Sequence, residues 1–259
     1  MNTVIALSQV VIKELYRRKD FYVLFVLTAV ITLALAWANL FHDPKIVRYL
    51  KEVVLLLIWI SALVIAITTT ARQIPAEREN RTIFPLLAKP VTRGQVILGK
   101  FLGCWLACGL ALLVFYLFFG VISGSREHSW DALGYFQGLW LQWVMLGMVI
   151  SLVLLGSVTF TAPSSNATIT FIVVVGILLL GRHLNQVALQ QTEPLRSIIY
   201  TIYFLIPHLE WYDVRDFLIY DHRFVGWADC ALATLYAALY SALLLFGTWL
   251  VFRRKSLNL

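Results

Sequence analysis

Charge is what this chain has least of. Asp, Glu, Lys and Arg together make up 14% of its 259 residues, against about 25% in soluble domains. With 60% hydrophobic residues and a mean hydropathy of +0.80, a water-soluble fold would be left with large sticky surfaces. The few charges also avoid the long apolar stretches. Six runs, 21–41, 53–71, 101–122, 139–161, about 165–181 and 230–252, contain no Asp, Glu, Lys, Arg or His. Runs of roughly 20 apolar residues match a hydrocarbon core of about 30 Å. The expectation is an all-α integral membrane protein with six transmembrane helices.

Those uncharged runs limit the mechanism. Ion-coupled transporters and proton pumps keep ionisable groups at membrane depth, because coupling needs a site that binds and releases charge. A carbonyl-lined sodium site needs no acid, so such coupling is disfavoured and not excluded. A chain of this kind that moves a solute must take its energy from elsewhere. Cysteine is scarce too. Cys104, Cys108 and Cys230 form no disulfide framework, and the first two lie one helical turn apart as packing residues. The histidines (His42, His128, His183, His208 and His222) are scattered outside the runs, and His208-Leu-Glu210 is too sparse for a metal site. With no catalytic constellation, a membrane-embedded enzyme is disfavoured, and the chain is expected to bind neither metal nor cofactor.

The distribution of the charge that is present sets a topology. With the N-terminus inside, the inner segments 1–20, 72–100, 162–165 and 253–259 sum to +9 and the outer segments 42–52, 123–138 and 182–229 to −2. This is the asymmetry of the positive-inside rule, and it puts both termini in the cytoplasm. The net charge of +7 is then read as orienting the chain and touching anionic headgroups, not as binding nucleic acid. Residues 1–20 are not a cleavable signal, since they alternate apolar and charged positions and end in Arg17-Arg18-Lys19-Asp20. Val4, Leu7, Val11 and Leu15 recur at helical spacing, which predicts an N-terminal interfacial amphipathic helix on the inner surface. Its alternative is an extension of the first span.

One membrane domain fills residues 1–259, without a convincing repeat. Asp43-Pro44 is a capped helix start, so the second span is expected to begin outside the membrane. The outer segment 182–229 is too long for a simple connector. Pro194 opens an apolar run over 195–206 that stops at Pro207, and a second run covers 214–220. Tyr200, Tyr203, Trp211, Tyr212, Phe217, Tyr220, Phe224 and Trp227 give it the aromatic character of a membrane interface. Two short re-entrant or interfacial helices at the outer mouth are expected; a surface hairpin without a transport role is the alternative.

The longest charged segment that still reads as structured is 77–100. Its end, Gly94-Gln-Val-Ile-Leu-Gly99-Lys100, matches seven positions of a phosphate-binding loop, but Phe101 stands where Ser or Thr must hold magnesium. Gly99, Gly103 and Ala107 read instead as a small-residue packing ridge at four-residue spacing. Lys100 reads as a cation snorkelling to the inner headgroups. Thr92-Arg-Gly-Gln95 is a capping box that starts the third span near Arg93. Asn80-Arg-Thr82 and Asn166-Ala-Thr168 match glycosylation sequons on the inner side, where they carry no meaning. Upstream, Thr82 can cap a short helix over 83–88 with Pro85 in its first turn. Its apolar face is Ile83, Phe84, Leu86 and Leu87, between charged flanks. Such an element can dock in a partner's groove, or it can pack only on its own membrane domain; the physics leaves both open.

The segment resembles the signature of ABC type-2 transporter permeases. There an acidic pair precedes Gly-Thr, then Leu-Leu, Pro-Val-Ser-Arg, and Gly-Lys leading into the third span. Glu77 and Glu79, Thr82, Leu86-Leu87, Pro90-Val91-Thr92-Arg93 and Gly99-Lys100 occupy those positions. Arg81 replaces the usual Gly, and Pro85 interrupts the Leu-rich turn. The resemblance implies a permease subunit of an ATP-binding-cassette exporter, paired with a second permease copy in a homo- or heterodimer. ATP and magnesium would be bound by a separate ATP-binding subunit. It assigns ATPase docking and coupling to Glu77, Glu79, Arg81, Thr82, Phe84, Leu86, Leu87, Pro90 and Arg93. It assigns an outer gate to Tyr200, Tyr203, Phe204, Pro207 and Trp211. A multi-pass protein of the bacterial cytoplasmic membrane is implied, and uncharged spans suggest a hydrophobic or amphipathic substrate. The alternative function is a non-transporting membrane scaffold that recruits a soluble partner through its inner loop.

Overall fold

The structure, a computed structural model, describes residues 2–17, 19–38, 44–79, 91–127, 132–190, 192–220 and 225–254. Among these the regular structure is helical. The elements are α1 (Asn2–Tyr16), α2 (Lys19–Ala38), α3 (Pro44–Ala71), α4 (Pro75–Glu79), α5 (Arg93–Glu127), α6 (Ala132–Thr159), α7 (Pro163–Gln190), α8 (Leu195–Leu205), a 3-10 turn (Leu209–Tyr212), α9 (Arg215–Tyr220) and α10 (Trp227–Arg254).

Five helical stretches among the described residues are long and apolar enough to cross a membrane: Arg48–Glu79, Arg93–Ser125, Ala132–Thr159, Pro163–Gly181 and Trp227–Arg254. The first expected run falls on α2, whose described apolar part, Tyr22–Ala34, is shorter. The run expected over 165–181 belongs to a longer helix, because α7 continues to Gln190. The expected start at Pro44 is observed, while Asp43, its proposed cap, lies outside the described residues.

α6 is the central helix. In its most apolar window 83% of residues are buried, against 17% in α10. It packs against α3, α5, α7 and α10, so it is apolar on every side. Two indoles fix its crossing with α5. Trp105 Nε1 donates to the carbonyl of Trp143, and Trp143 Nε1 donates to that of Trp105, both at 2.9 Å. The rings stack at 4.5 Å. Gly109 lies under Trp143, and a β-carbon at Gly147 would stand 3.3 Å from Trp105 Nε1. An indole N–H in an apolar bundle needs a partner, and a glycine on the facing helix lets the ring come close enough to reach one.

At the α6–α7 turn, Asn166 is fully buried. Its amide donates to the Val153 carbonyl at 3.2 Å and to Ser157 Oγ at 3.0 Å, and accepts from Thr170 at 3.2 Å. Asn166, which matched a sequon, is therefore a packing joint.

α1 forms as its periodicity predicts. Its apolar stripe, however, meets protein: Val11 is buried, and a β-carbon at Gly103 would stand 2.7 Å from that of Val11. A β-carbon at Gly99 would be as close to Leu7, and Ser8 Oγ donates to the Gly99 carbonyl at 3.1 Å. The ridge of Gly99, Gly103 and buried Ala107 is thus partly the seat of α1. The apolar residues that α1 leaves exposed include Ile5 and Val10.

Candidate functional site

The charged segment reaches the bundle at the start of α5. Thr92 and Gln95 form the expected capping box, with Thr92 N–H donating to Gln95 Oε1 at 3.0 Å and Gln95 N–H to Thr92 Oγ1 at 3.3 Å. Arg93 turns toward the other end of the chain. Its guanidinium donates to the carbonyls of Phe252 and, at 3.2 Å, of Arg253, and lies 5.2 Å from the centre of the Phe252 ring. Two carbonyls that α10 cannot satisfy internally are thus capped by a cation, in the favourable sense of the helix dipole.

Two turns into α5, Lys100 departs from expectation. It is 3% exposed and does not snorkel. Its ammonium donates to Glu77 Oε1 at 2.6 Å, to the Gln73 carbonyl at 3.1 Å and to Gln73 Oε1 at 3.3 Å. All three of its N–H bonds find acceptors. Gln73 Nε2 in turn donates to Glu14 Oε2 of α1 at 3.4 Å. The reason is spatial: α4 folds the acid back over the start of α5, so a buried partner is nearer than the headgroup layer. Glu79 is exposed. Arg81, Thr82, Phe84, Leu86, Leu87 and Pro90 lie outside the described residues.

At the opposite end, residues 195–220 fold back along the bundle. α8 packs against α7, and at its end Tyr240 OH of α10 donates to the carbonyls of Phe204 and Leu205, at 3.4 and 3.1 Å. Tyr240 lies 13 residues into α10, about 20 Å along its axis. The 3-10 turn then begins the return, with Tyr212 OH donating to the Ala233 carbonyl at 2.6 Å. α9 climbs to place Tyr220 against Glu52 and Arg48 of α3. α8 has no buried residue, whereas Leu218 and Ile219 of α9 are buried.

Of the expected gate residues, Tyr203 and Trp211 meet around His208, with ring centres 4.3 and 4.6 Å away. Tyr200 and Phe204 stack on each other at 6.4 Å, and Phe204 is exposed. Pro207 ends the α8 run, its carbonyl accepting from Leu209 at 2.9 Å.

This fold-back carries charge into a bundle whose spanning runs have none. His208 Nδ1 lies 3.2 Å from Glu210 Oε1, both side chains nearly buried, and the carboxylate sits against Gly181 of α7. Burial and the Glu210 charge together raise the pKa of Tyr203. Arg215 pairs with Asp213 through two bonds of 2.7 and 2.9 Å, which raises its own pKa. Its guanidinium lies 5.2 Å from the Trp59 ring of α3. His208, Glu210, Asp213 and Arg215 were not expected at such a position; the only sequence signal was that they fall between two runs too short to span. Two apolar clefts of about 580 and 510 Å³ flank the N-terminal half of α10. Trp140, Trp227 and Leu235 help to line the first, and Trp211, Tyr236 and Leu235 the second. No group of three or more metal-ligating side chains occurs among the described residues.

A bundle with five helices among the described residues long and apolar enough to cross a membrane defines a multi-pass membrane protein. The family model described as "ABC-2 family transporter protein" matches residues 12–257, and the chain belongs to this family. It is a permease component of an ABC transporter, a class that generally works with an ATP-binding subunit. Comparison with curated proteins gives no match.

Proposed function

We propose that the chain is one half of an ATP-driven exporter. In this reading residues 77–93 receive a separate ATP-binding subunit, which holds ATP and magnesium, and 194–220 form the outer gate. The pathway lies between this chain and a second permease copy. The observation that carries the reading is the joint at Lys100: the acidic start of the segment is tied by a buried ion pair to a helix that crosses the bundle. A partner pressing on 77–93 would therefore press on α5. The apolar clefts beside α10 support a hydrophobic or amphipathic substrate. Six crossings, with both termini cytoplasmic, are supported by α1 and the end of α10 lying at the same end of α5. The positive-inside charge balance supports a cytoplasmic position for that end, in keeping with a bacterial inner-membrane exporter.

The test is co-expression with the ATP-binding subunit, comparing the unsubstituted chain with a Glu77→Ala, Glu79→Ala, Arg93→Ala variant. The variant is expected to lose co-purification of the subunit, transport, or both. Full assembly together with full transport would refute the docking assignment.

A further inference from the structure

Lys100 is buried more deeply than a topology signal requires. A cation that only orients a span snorkels to the headgroups. This one is 3% exposed and spends all three donors on protein. Its acceptors come from two places: the turn that ends α3, through Gln73, and α4, through Glu77. Gln73 extends the contact to Glu14 of α1. At the residue just before Lys100, the Gly99 carbonyl receives Ser8 of α1. Seven residues earlier, Arg93 holds the end of α10. The first turns of α5 therefore meet α1, α3, α4 and α10 through directional bonds.

We propose that Lys100 is a positioning residue that passes displacement of α4 to α5. Glu77 is then an internal strut, and exposed Glu79 is the acid that faces a partner. This rests on the reading that 77–93 receives the ATP-binding subunit.

The physical ground is that a buried ion pair is a poor source of net stability. Its desolvation cost offsets much of the attraction, so replacing both partners by apolar residues is often tolerated, whereas removing one alone leaves the other charge uncompensated. What the pair does supply is a short, directional link between two elements. Glu77 retains 28% side-chain exposure, although its Oε2 is buried, so removal of the lysine leaves a carboxylate only partly solvated. Loss of the link is therefore expected to lower stability as well as to interrupt transmission, and the two effects are read separately.

The experiment uses the full chain in complex with its ATP-binding subunit, reconstituted in lipid nanodiscs. The three native cysteines are replaced, and a reporter is introduced as Leu205→Cys, a position 77% exposed at the foot of α8. The probe is the rate of maleimide labelling with and without Mg-ATP and vanadate. Lys100→Met is expected to keep co-purification and basal ATP hydrolysis but to lose the nucleotide-dependent change in labelling. Lys100→Arg, which keeps the charge, is expected to retain it. A residue that only stabilises the fold would lower the melting temperature and leave the labelling response intact, and that result overturns the proposal. If Lys100→Met does not accumulate, Lys100→Gln is judged by the same criterion. If the unsubstituted chain neither binds the subunit nor responds to nucleotide, the docking reading fails and takes this proposal with it. A response in the unsubstituted complex that survives in Lys100→Met removes only the proposal.

Discussion

A methyl group at Gly103 would stand 2.7 Å from Cβ of Val11 and 3.1 Å from the Ser8 backbone, whereas one at Gly120 would meet nothing within 4 Å. Both glycines lie inside the same helix, so helix propensity favours alanine equally at each, by about 1 kcal/mol. Only the first substitution must move α1. Gly103→Ala is therefore expected to destabilise by about 1–3 kcal/mol and Gly120→Ala to be neutral or stabilising. Thermal unfolding of the two variants in one detergent checks the difference. Asn166 acts through the bonds it makes. Asn166→Ala removes two donated bonds and one accepted bond in a fully buried site, where each interhelical bond contributes about 0.6–2 kcal/mol. A fall in melting temperature is expected, and an unchanged value would mean that the joint is dispensable.

Helix pairs in this bundle are registered by polar groups set among apolar ones. The Trp105–Trp143 exchange uses each ring twice, as a stacked surface and as a donor. Trp143→Phe keeps most of the ring and loses one bond, for an expected cost of about 1 kcal/mol; Trp143→Ala also opens a cavity and is expected to cost about 3–5 kcal/mol. Denaturation of the two variants side by side separates the bond from the ring. The folded-back segment is held unevenly, with α9 buried against α3 and α6 while α8 lies exposed. Arg215→Met leaves the part-buried Asp213 without its two-bond partner and is expected to cost about 1–3 kcal/mol. Adding Asp213→Asn is expected to recover part of that loss. A double variant no more stable than Arg215→Met would contradict this account of the pair.

At the scale of the whole molecule, charge asymmetry and helix order point the same way. α1 docks at the start of α5, where α10 also ends, so the chain returns to the end it left. Reporter cysteines introduced as Ile5→Cys and Arg254→Cys, in a background without the native thiols, are expected to react with a membrane-impermeant maleimide from one side only. A reporter at Leu195→Cys is expected to react from the other side. Labelling of the first two from opposite faces would require an odd number of crossings and would overturn the six-span reading.

Features governed by neighbours in sequence were legible in advance. The capping box at Thr92 and Gln95, the helix start at Arg93, the stop at Pro207 and the periodicity of α1 each depend on spacings of a few residues, and backbone geometry translates such spacings directly into structure. Hydropathy likewise settled the membrane class, because lipid admits only segments that satisfy their own backbone. Tertiary structure decided what those elements touch. Lys100 reads locally as a headgroup cation, and only the return of α4 brings Glu77, 23 residues earlier, within 2.6 Å. The stripe of α1 reads as lipid-facing until Gly99 and Gly103 provide a seat for it. The six apolar runs carry no charge, yet the bundle encloses Glu210 and Asp213 with their partners, because a segment too short to cross folds back among helices that do. Periodicity shows that a face is apolar without saying what will cover it, and partner choice depends on contacts far apart in sequence.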